Sequence, residues 1–237
     1  MRPFGHRGLA PTVGVAVEIE AFDDKESEHR QARLASQFVV SEIITGNLKP
    51  GAEIQASDLS ASGLFSIGEM LEGIPRLLAS RLVTDDDNFF RVAEQSPDDL
   101  ADLMHTRFLL EGVALRDSIM NGDEEWERSV TAGLQDLVAV SGHARRCPEA
   151  MMAHKRFHQA LISASRLRRV REYLDTVYDQ CAWYAAASHG RPYSDFSGHQ
   201  SLTDAAVARD IEAASEQLRL LLFSEMNTNG TNGDRRS

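Results

Sequence analysis

The sequence predicts a mainly α-helical protein made of a small N-terminal head and a larger bundle of about six helices. Apolar residues recur every three or four positions along most of the 237 residues, which is the spacing of one helix face. Two short apolar runs, 81–84 and 89–92, flank the sequence Asp-Asp-Asp-Asn and predict a small hairpin. The composition then changes at residues 96–99, Ser-Pro-Asp-Asp, where a serine cap, a proline and two acids mark a strong helix start. We place the boundary between the two parts there.

Composition and charge exclude several classes of protein. The net charge of -11 at pH 7 argues against a wholly basic nucleic-acid-coating domain, although a local basic face is compatible with it. The two cysteines, Cys147 and Cys181, are too few for a disulfide framework and favour a reducing compartment. No apolar run approaches the ~18 residues that cross a bilayer, and the N-terminus has no signal-peptide core. We therefore expect a cytoplasmic protein without a membrane partner.

The head is predicted to contain three small helices and the hairpin. Residues 1–28 mix glycine, proline and charge, and we interpret them as an N-terminal arm. A first helix is predicted over about 28–45, a second from Ser57 and a third from about Ser66. Gly73 and Pro75 lie within the third helix, where a proline requires the helix to kink or to start afresh. Three helices and a two-stranded wing are the parts of a winged helix-turn-helix, which we assign to residues 29–95.

The rest of the chain shows one helical pattern after another. Predicted helices cover 97–121, 123–142, 148–165, 168–188, 197–208 and 210–226. Six helices can enclose one core, so residues 96–226 form the predicted second domain. The polar, glycine-rich tail at 227–237 is predicted to be disordered.

Four short motifs carry a family resemblance. Residues 43–54 contain the Gly-x-Leu-x-Pro-Gly pattern at the end of the first helix, and residues 107–111 follow the pattern of an arginine, three residues and a glutamate. Residues 154–158 end in Phe-His, and His199 follows as a lone later histidine. Together these motifs resemble the GntR family of bacterial regulators, in the branch with a helical FCD ligand domain. The resemblance implies a winged-helix head for transcription regulation, a small-molecule ligand and a symmetric homodimer.

The head departs from the family pattern at the recognition helix. Residues 66–72 align with Ser-Arg-x-Pro-Val-Arg-Glu, and Ile67 and Leu71 stand where that family has its two arginines. Arginine contacts guanine edges and phosphates, which isoleucine and leucine cannot do. Three aspartates at the wing, 85–87, would repel phosphates. The sequence therefore predicts weakened or lost DNA binding, against the alternative of weak family-like binding through other basic residues. The remaining candidate DNA contacts are Ser66, Arg76 and Arg91.

Three histidines are the candidate metal ligands. His154 and His158 are four residues apart on one predicted helix, so they lie on one face and can bind Zn²⁺ or Ni²⁺ together. The resemblance adds His199, because FCD domains commonly hold a divalent metal with one aspartate and three histidines. In this sequence His154 stands in place of the family's aspartate, and Leu221 aligns with the family's last histidine. These two replacements leave three imidazoles and an open side. The alternative is that the histidine pair is an ordinary surface or core pair.

The same domain contains candidate ligand-binding residues. The resemblance points to Arg107 as the partner of an anionic ligand, whereas spacing alone also allows an intrahelical pair with Glu111. Trp183 and Tyr184 either line the cavity or belong to the core or a dimer contact. A metal with three neutral ligands would attract a carboxylate or acidify a bound water. The first outcome predicts a sensor of a carboxylate-bearing metabolite, the second an enzyme on the same scaffold. A third possibility is a non-catalytic protein that still binds its ligand but no longer binds DNA.

Overall fold

The head of this chain combines three α-helices and one 3₁₀ helix with a small antiparallel sheet, counted over the described residues. The structure is a computed structural model, which describes residues 14–86, 89–140, 148–187 and 196–230. The helices of the head are α1 (Gly14–Ile44), α2 (Ala56–Ser60), α3 (Ile67–Gly73) and a 3₁₀ helix (Ile74–Ser80). Its strands are β1 (Glu53–Ile54), β2 (Val83–Asp86) and β3 (Phe89–Val92), with β3 in the middle and antiparallel to both neighbours. The predicted hairpin is confirmed, and β1 adds a third strand that was not predicted.

The third helix begins and ends for clear local reasons. Ser66 Oγ accepts a hydrogen bond from the backbone of Glu69, whose carboxylate accepts one from the backbone of Ser66 at 2.7 Å. After Gly73 the chain starts afresh as the 3₁₀ helix, with Pro75 in its first turn. A Cβ on Gly73 would lie 2.8 Å from the carbonyl oxygen of Ala32, so the glycine allows α3 to pack closely against α1.

In the described part of the second domain, six helices form the bundle, as predicted. They are α4 (Pro97–Asn121), α5 (Glu124–Ala139), α6 (Pro148–Leu161), α7 (Arg168–Ala187), α8 (Ser197–Val207) and α9 (Ile211–Gly230). α4 packs on α7 and α9, α5 packs on α6 and α8, and α8 packs on α9. Their shared core includes the fully buried side chains of Leu115, Leu137, Phe157, Leu174, Leu202 and Leu218.

The head rests on the C-terminal half of α7. Trp183 of α7 and Met151 of α6 are buried in the core of the head. Gln180 donates a hydrogen bond to the carbonyl oxygen of Ser80, and Gln95 donates one to the carbonyl oxygen of Trp183 at 3.0 Å. The two parts of the chain therefore share packing as well as a covalent connection.

The ends of the chain differ from the prediction. α1 begins at Gly14, so residues 14–28 are helical instead of belonging to an arm, and residues 1–13 lie outside the described residues. Residues 18–28 are rich in glutamate, a good helix former that outweighs the missing apolar period. α9 continues to Gly230, past the predicted start of the tail at 227. Among the described helices, none is long and apolar enough to cross a membrane.

Candidate metal centre

Three histidines lie together between α6 and α8. His154 and His158 are one turn apart on α6, and His199 is in the first turn of α8. The Nε2 atom of His154 lies 3.3 Å from Nε2 of His158 and 3.2 Å from Nε2 of His199. His158 and His199 are buried, whereas His154 is half-buried. The structure therefore brings the three ligand candidates into one cluster.

The spacing of these nitrogens suits a small divalent cation. Two imidazole nitrogens bound tetrahedrally at ~2.05 Å from a zinc ion stand about 3.3 Å apart. Both measured Nε2 separations, 3.2 and 3.3 Å, match that distance. Within the described part of the chain, the donor atoms of the three histidines all lie within 4.8 Å of one another. The residues present therefore fit Zn²⁺ or Ni²⁺, both of which accept imidazole ligands.

A buried ion pair on α4 orients one of the three histidines. Nδ1 of His158 lies 2.6 Å from Oε1 of Glu111, and the other carboxylate oxygen accepts a hydrogen bond from Nε of Arg107 at 2.9 Å. All three side chains are essentially inaccessible to solvent. Because Nδ1 donates its proton to the carboxylate, Nε2 of His158 presents a lone pair to the other two imidazoles.

Burial and charge set the protonation of these groups. Burial by itself raises the pKa of Glu111, but the charges of His158 and Arg107 outweigh it and lower this pKa from 4.5 to about 2. Burial lowers the pKa of His158 from 6.5 to about 4, although Glu111 opposes the shift. At neutral pH Glu111 is therefore ionised and His158 is neutral, which is the form of imidazole that binds metals. Arg107 is then the cation that balances Glu111.

Tyr178 on α7 also belongs to this site, although the sequence analysis did not identify it. Its ring centroid lies 5.9 Å from that of His158, and the guanidinium carbon of Arg107 lies 5.1 Å from the ring centroid. Burial raises the pKa of Tyr178 well above its usual value, so the hydroxyl stays protonated. A tyrosine at helical spacing looks like any core aromatic residue in a sequence, and no motif could have revealed it.

Two candidate pocket residues lie at the junction of head and bundle instead. Trp183 is buried in the core of the head. The ring of Tyr184 packs on Trp183 at 5.0 Å between centroids, and its hydroxyl accepts a hydrogen bond from the backbone of Ser96 at 3.4 Å. These contacts fit the core interpretation of both aromatic residues. His105 is exposed on α4, and His143 and His189 lie outside the described residues.

The three candidate DNA contacts of the head differ in their surroundings. Ser66 is occupied in capping α3, and Arg76 is exposed on the 3₁₀ helix. Arg91 on β3 lies 3.3 Å from the carboxylate of Asp86 and 4.0 Å from that of Glu53. The third wing aspartate, Asp87, lies outside the described residues. Of the basic candidates, Arg76 is therefore the one without an acidic neighbour at ion-pair distance among the described residues.

The outer face of α3 is apolar where the family has arginines. Ile67 is 50% exposed and Leu71 is 56% exposed. Leu64, just before the helix, is exposed as well. These side chains offer no hydrogen bond to a base or a phosphate.

Comparison with known proteins identifies the family. The FCD domain family matches residues 102–223. The chain is 34% identical to the HTH-type transcriptional regulator BphR of Paraburkholderia xenovorans, over 80% of this chain and 81% of that protein. It is 28% identical to the HTH-type transcriptional repressor GlaR of Escherichia coli, over 79% of this chain and 90% of that protein.

Solved structures share the fold. Escherichia coli McbR/YncC superposes with a TM-score of 0.73 at 16% identity, over 84% of this chain and 96% of the other. A GntR regulator from a Rhodococcus species superposes with a TM-score of 0.66 at 22% identity, over 86% and 99%. On the FCD match and the identity to BphR, this chain belongs to the FCD-domain branch of the GntR family of transcriptional regulators.

Proposed function

We propose that this regulator binds a divalent metal, Zn²⁺ or Ni²⁺, on His154, His158 and His199, and senses a small carboxylate-bearing metabolite there. The observation that carries this proposal is the convergence of three Nε2 atoms at 3.2 and 3.3 Å. One of the three imidazoles is oriented by a buried carboxylate, an arrangement typical of metal sites. We place the division between head and ligand domain at residue 96.

The charge balance of the site favours an anionic ligand. The three imidazoles are uncharged when they bind a metal, and the charge of Glu111 is offset by Arg107. The +2 charge of the ion would therefore be left for the ligand to neutralise. Leu221, which stands where the family has its last histidine, lies beside Gly198, the chain neighbour of His199. A leucine supplies no donor atom, so one coordination position stays open for a carboxylate.

Binding of a simple carboxylate tests this proposal. We expect oxalate to bind the zinc-loaded protein in a calorimetric titration and to show no heat of binding with the chelator-stripped protein. A matched titration with a neutral diamide of the same size should give no binding to either form. Equal oxalate binding with and without zinc would contradict the proposed role of the metal.

The enzyme alternative has no support from BphR, GlaR or the Rhodococcus protein, which are named as transcriptional regulators or repressors. We therefore retain the regulator. We also infer that it works as a symmetric homodimer. The outer face of α4 supports this inference, because Leu109, Val113 and Met120 lie at helical spacing and are each more than half exposed.

We further propose that this head binds DNA more weakly than a head with the two arginines of the family pattern. The apolar side chains of Ile67 and Leu71 on the outer face of α3 support this, as does the pairing of Arg91 with Asp86. Without basic residues on this face, few counterions would be released from DNA on binding.

Restoring the two arginines tests the weakness of the head. We expect Ile67→Arg/Leu71→Arg to bind a short duplex at least about tenfold tighter than wild type at low salt, with a steeper salt dependence. Fluorescence anisotropy at several salt concentrations measures both quantities. Thr131→Arg/Gln135→Arg, which adds the same charge on the exposed face of α5, is the matched control. If wild type already shows the affinity and salt slope of the arginine variant, the proposal is wrong.

A further inference from the structure

A groove between head and bundle forms a cavity that is separate from the three histidines. One wall is the end of α1, and the other is formed by the outer face of α6 together with α7. Its volume is about 380 Å³, within the lower range of small-molecule pockets, and such pockets occur preferentially where domains meet. The residues around it are Gln37, Val40, Ser41, Ile44, Thr45, Met151, Met152, Lys155, Arg156, Gln159, Asp179 and Ala182.

The floor of this groove is apolar and adaptable. Ile44 and Met151 are buried and also belong to the core of the head, while Val40 and Ala182 are half-buried. Met152 is 59% exposed at the mouth. Methionine side chains fill irregular gaps and adapt to different apolar ligands. The apolar part of a ligand could therefore bury these partly exposed apolar side chains.

The lining of the groove contains two cations, Lys155 and Arg156, and one carboxylate, Asp179. Lys155 on α6 forms an ion pair with Asp179 on α7 at 2.6 Å, so these two charges offset each other. Asp175, next to the rim, accepts a hydrogen bond from Gln159 at 2.7 Å. Arg156 is exposed and makes no ion pair with a described residue. A guanidinium in this position suits a carboxylate, sulfonate or phosphate group.

We propose that this groove is a second small-molecule site, which takes an amphipathic anion with its apolar body on the methionine floor and its charge at Arg156. The site does not depend on a metal, because none of its residues belongs to the three-histidine cluster. A ligand here would touch α1 of the head and α6 of the bundle at once. A bound ligand would therefore stabilise the present orientation of the head, in which the head packs on α7.

Anilinonaphthalene sulfonate, an anion with an aromatic body, is a suitable probe for the full-length protein. We expect saturable fluorescence enhancement with one site per chain. Arg156→Glu should weaken the affinity about tenfold or more, since it replaces a charge-assisted contact by repulsion. Met152→Trp should weaken it similarly by filling the groove. Both positions are exposed, so neither variant threatens the fold.

Two control variants on α5 make the same chemical changes away from the groove. Arg128→Glu and Val138→Trp, both exposed, should leave the affinity of the probe unchanged. The proposal is overturned if wild type shows no saturable site, or if the groove variants bind the probe as tightly as the controls do. Zinc content measured on the same samples should be equal in all of them. A failed groove site can thus be told apart from a failed metal site.

Discussion

His158→Ala should abolish stoichiometric metal binding. The substitution removes one of the three proposed imidazole ligands and leaves two, which do not hold a zinc ion tightly without further donors. Removal of a residue that hydrogen-bonds to a metal ligand typically lowers metal affinity about 10–100-fold. Removal of a ligand itself should lower the affinity further. Elemental analysis of protein purified without chelator, and again after soaking with Zn²⁺ or Ni²⁺, measures the effect.

His105→Ala is the matched control for this measurement. His105 is an exposed histidine on α4, outside the three-histidine cluster, and its removal should leave the metal content near one ion per chain. Glu111→Gln should retain the metal but bind it about 10–100-fold more weakly, because the amide no longer provides the charged acceptor for Nδ1 of His158. Absence of metal from wild type after soaking would rule out the site altogether.

The sequence predicted the three histidines that cluster here but not the network that orients one of them, His158. His154 and His158 could be paired from their spacing of four residues, and His199 from the family resemblance. The pairing of Arg107 with Glu111 was one of two open alternatives, and the structure shows that pair. The contact between Glu111 and His158 joins residues 47 positions apart on α4 and α6. Such a contact depends on how the helices of the bundle pack, so a local sequence pattern cannot predict it.

The start of α4 has local causes and could be predicted, whereas the burial of Trp183 and Met151 has distant causes and could not. α4 begins at Pro97 as predicted, because the serine cap, the proline and the acids all act within one turn. Trp183 and Met151 lie in helices of the bundle, yet they are buried against the head. That burial depends on how two domains dock, which neither helix pattern specifies. Trp183 was consequently open to interpretation as a pocket residue.

Arg107→Met should destabilise the protein by about 3–5 kcal/mol at neutral pH, the typical cost of leaving a buried charge without its partner. Arg107 is 1% exposed and Glu111 is completely buried, so water cannot replace the lost guanidinium. His158 still contacts Glu111 in this variant, but in the wild-type protein burial keeps that imidazole neutral at pH 7. Urea unfolding with excess chelator, which removes any contribution from bound metal, measures the loss.

The double variant Arg107→Met/Glu111→Gln separates the effect of charge from that of packing. A neutral amide at 111 can still accept a hydrogen bond from His158 and needs no cation, so the double variant should recover most of the stability lost in Arg107→Met. The sign of the pH dependence is a second check. In wild type the pKa of Glu111 is lowered to about 2, so its ionised form contributes stability above pH 4.5 that is lost as the pH falls towards 2. Arg107→Met lacks the part of that contribution that comes from the guanidinium, and the stability gap between it and wild type should shrink as the pH falls. A gap that is constant with pH, or a double variant less stable than Arg107→Met, would show that Arg107 acts through packing and not through its charge.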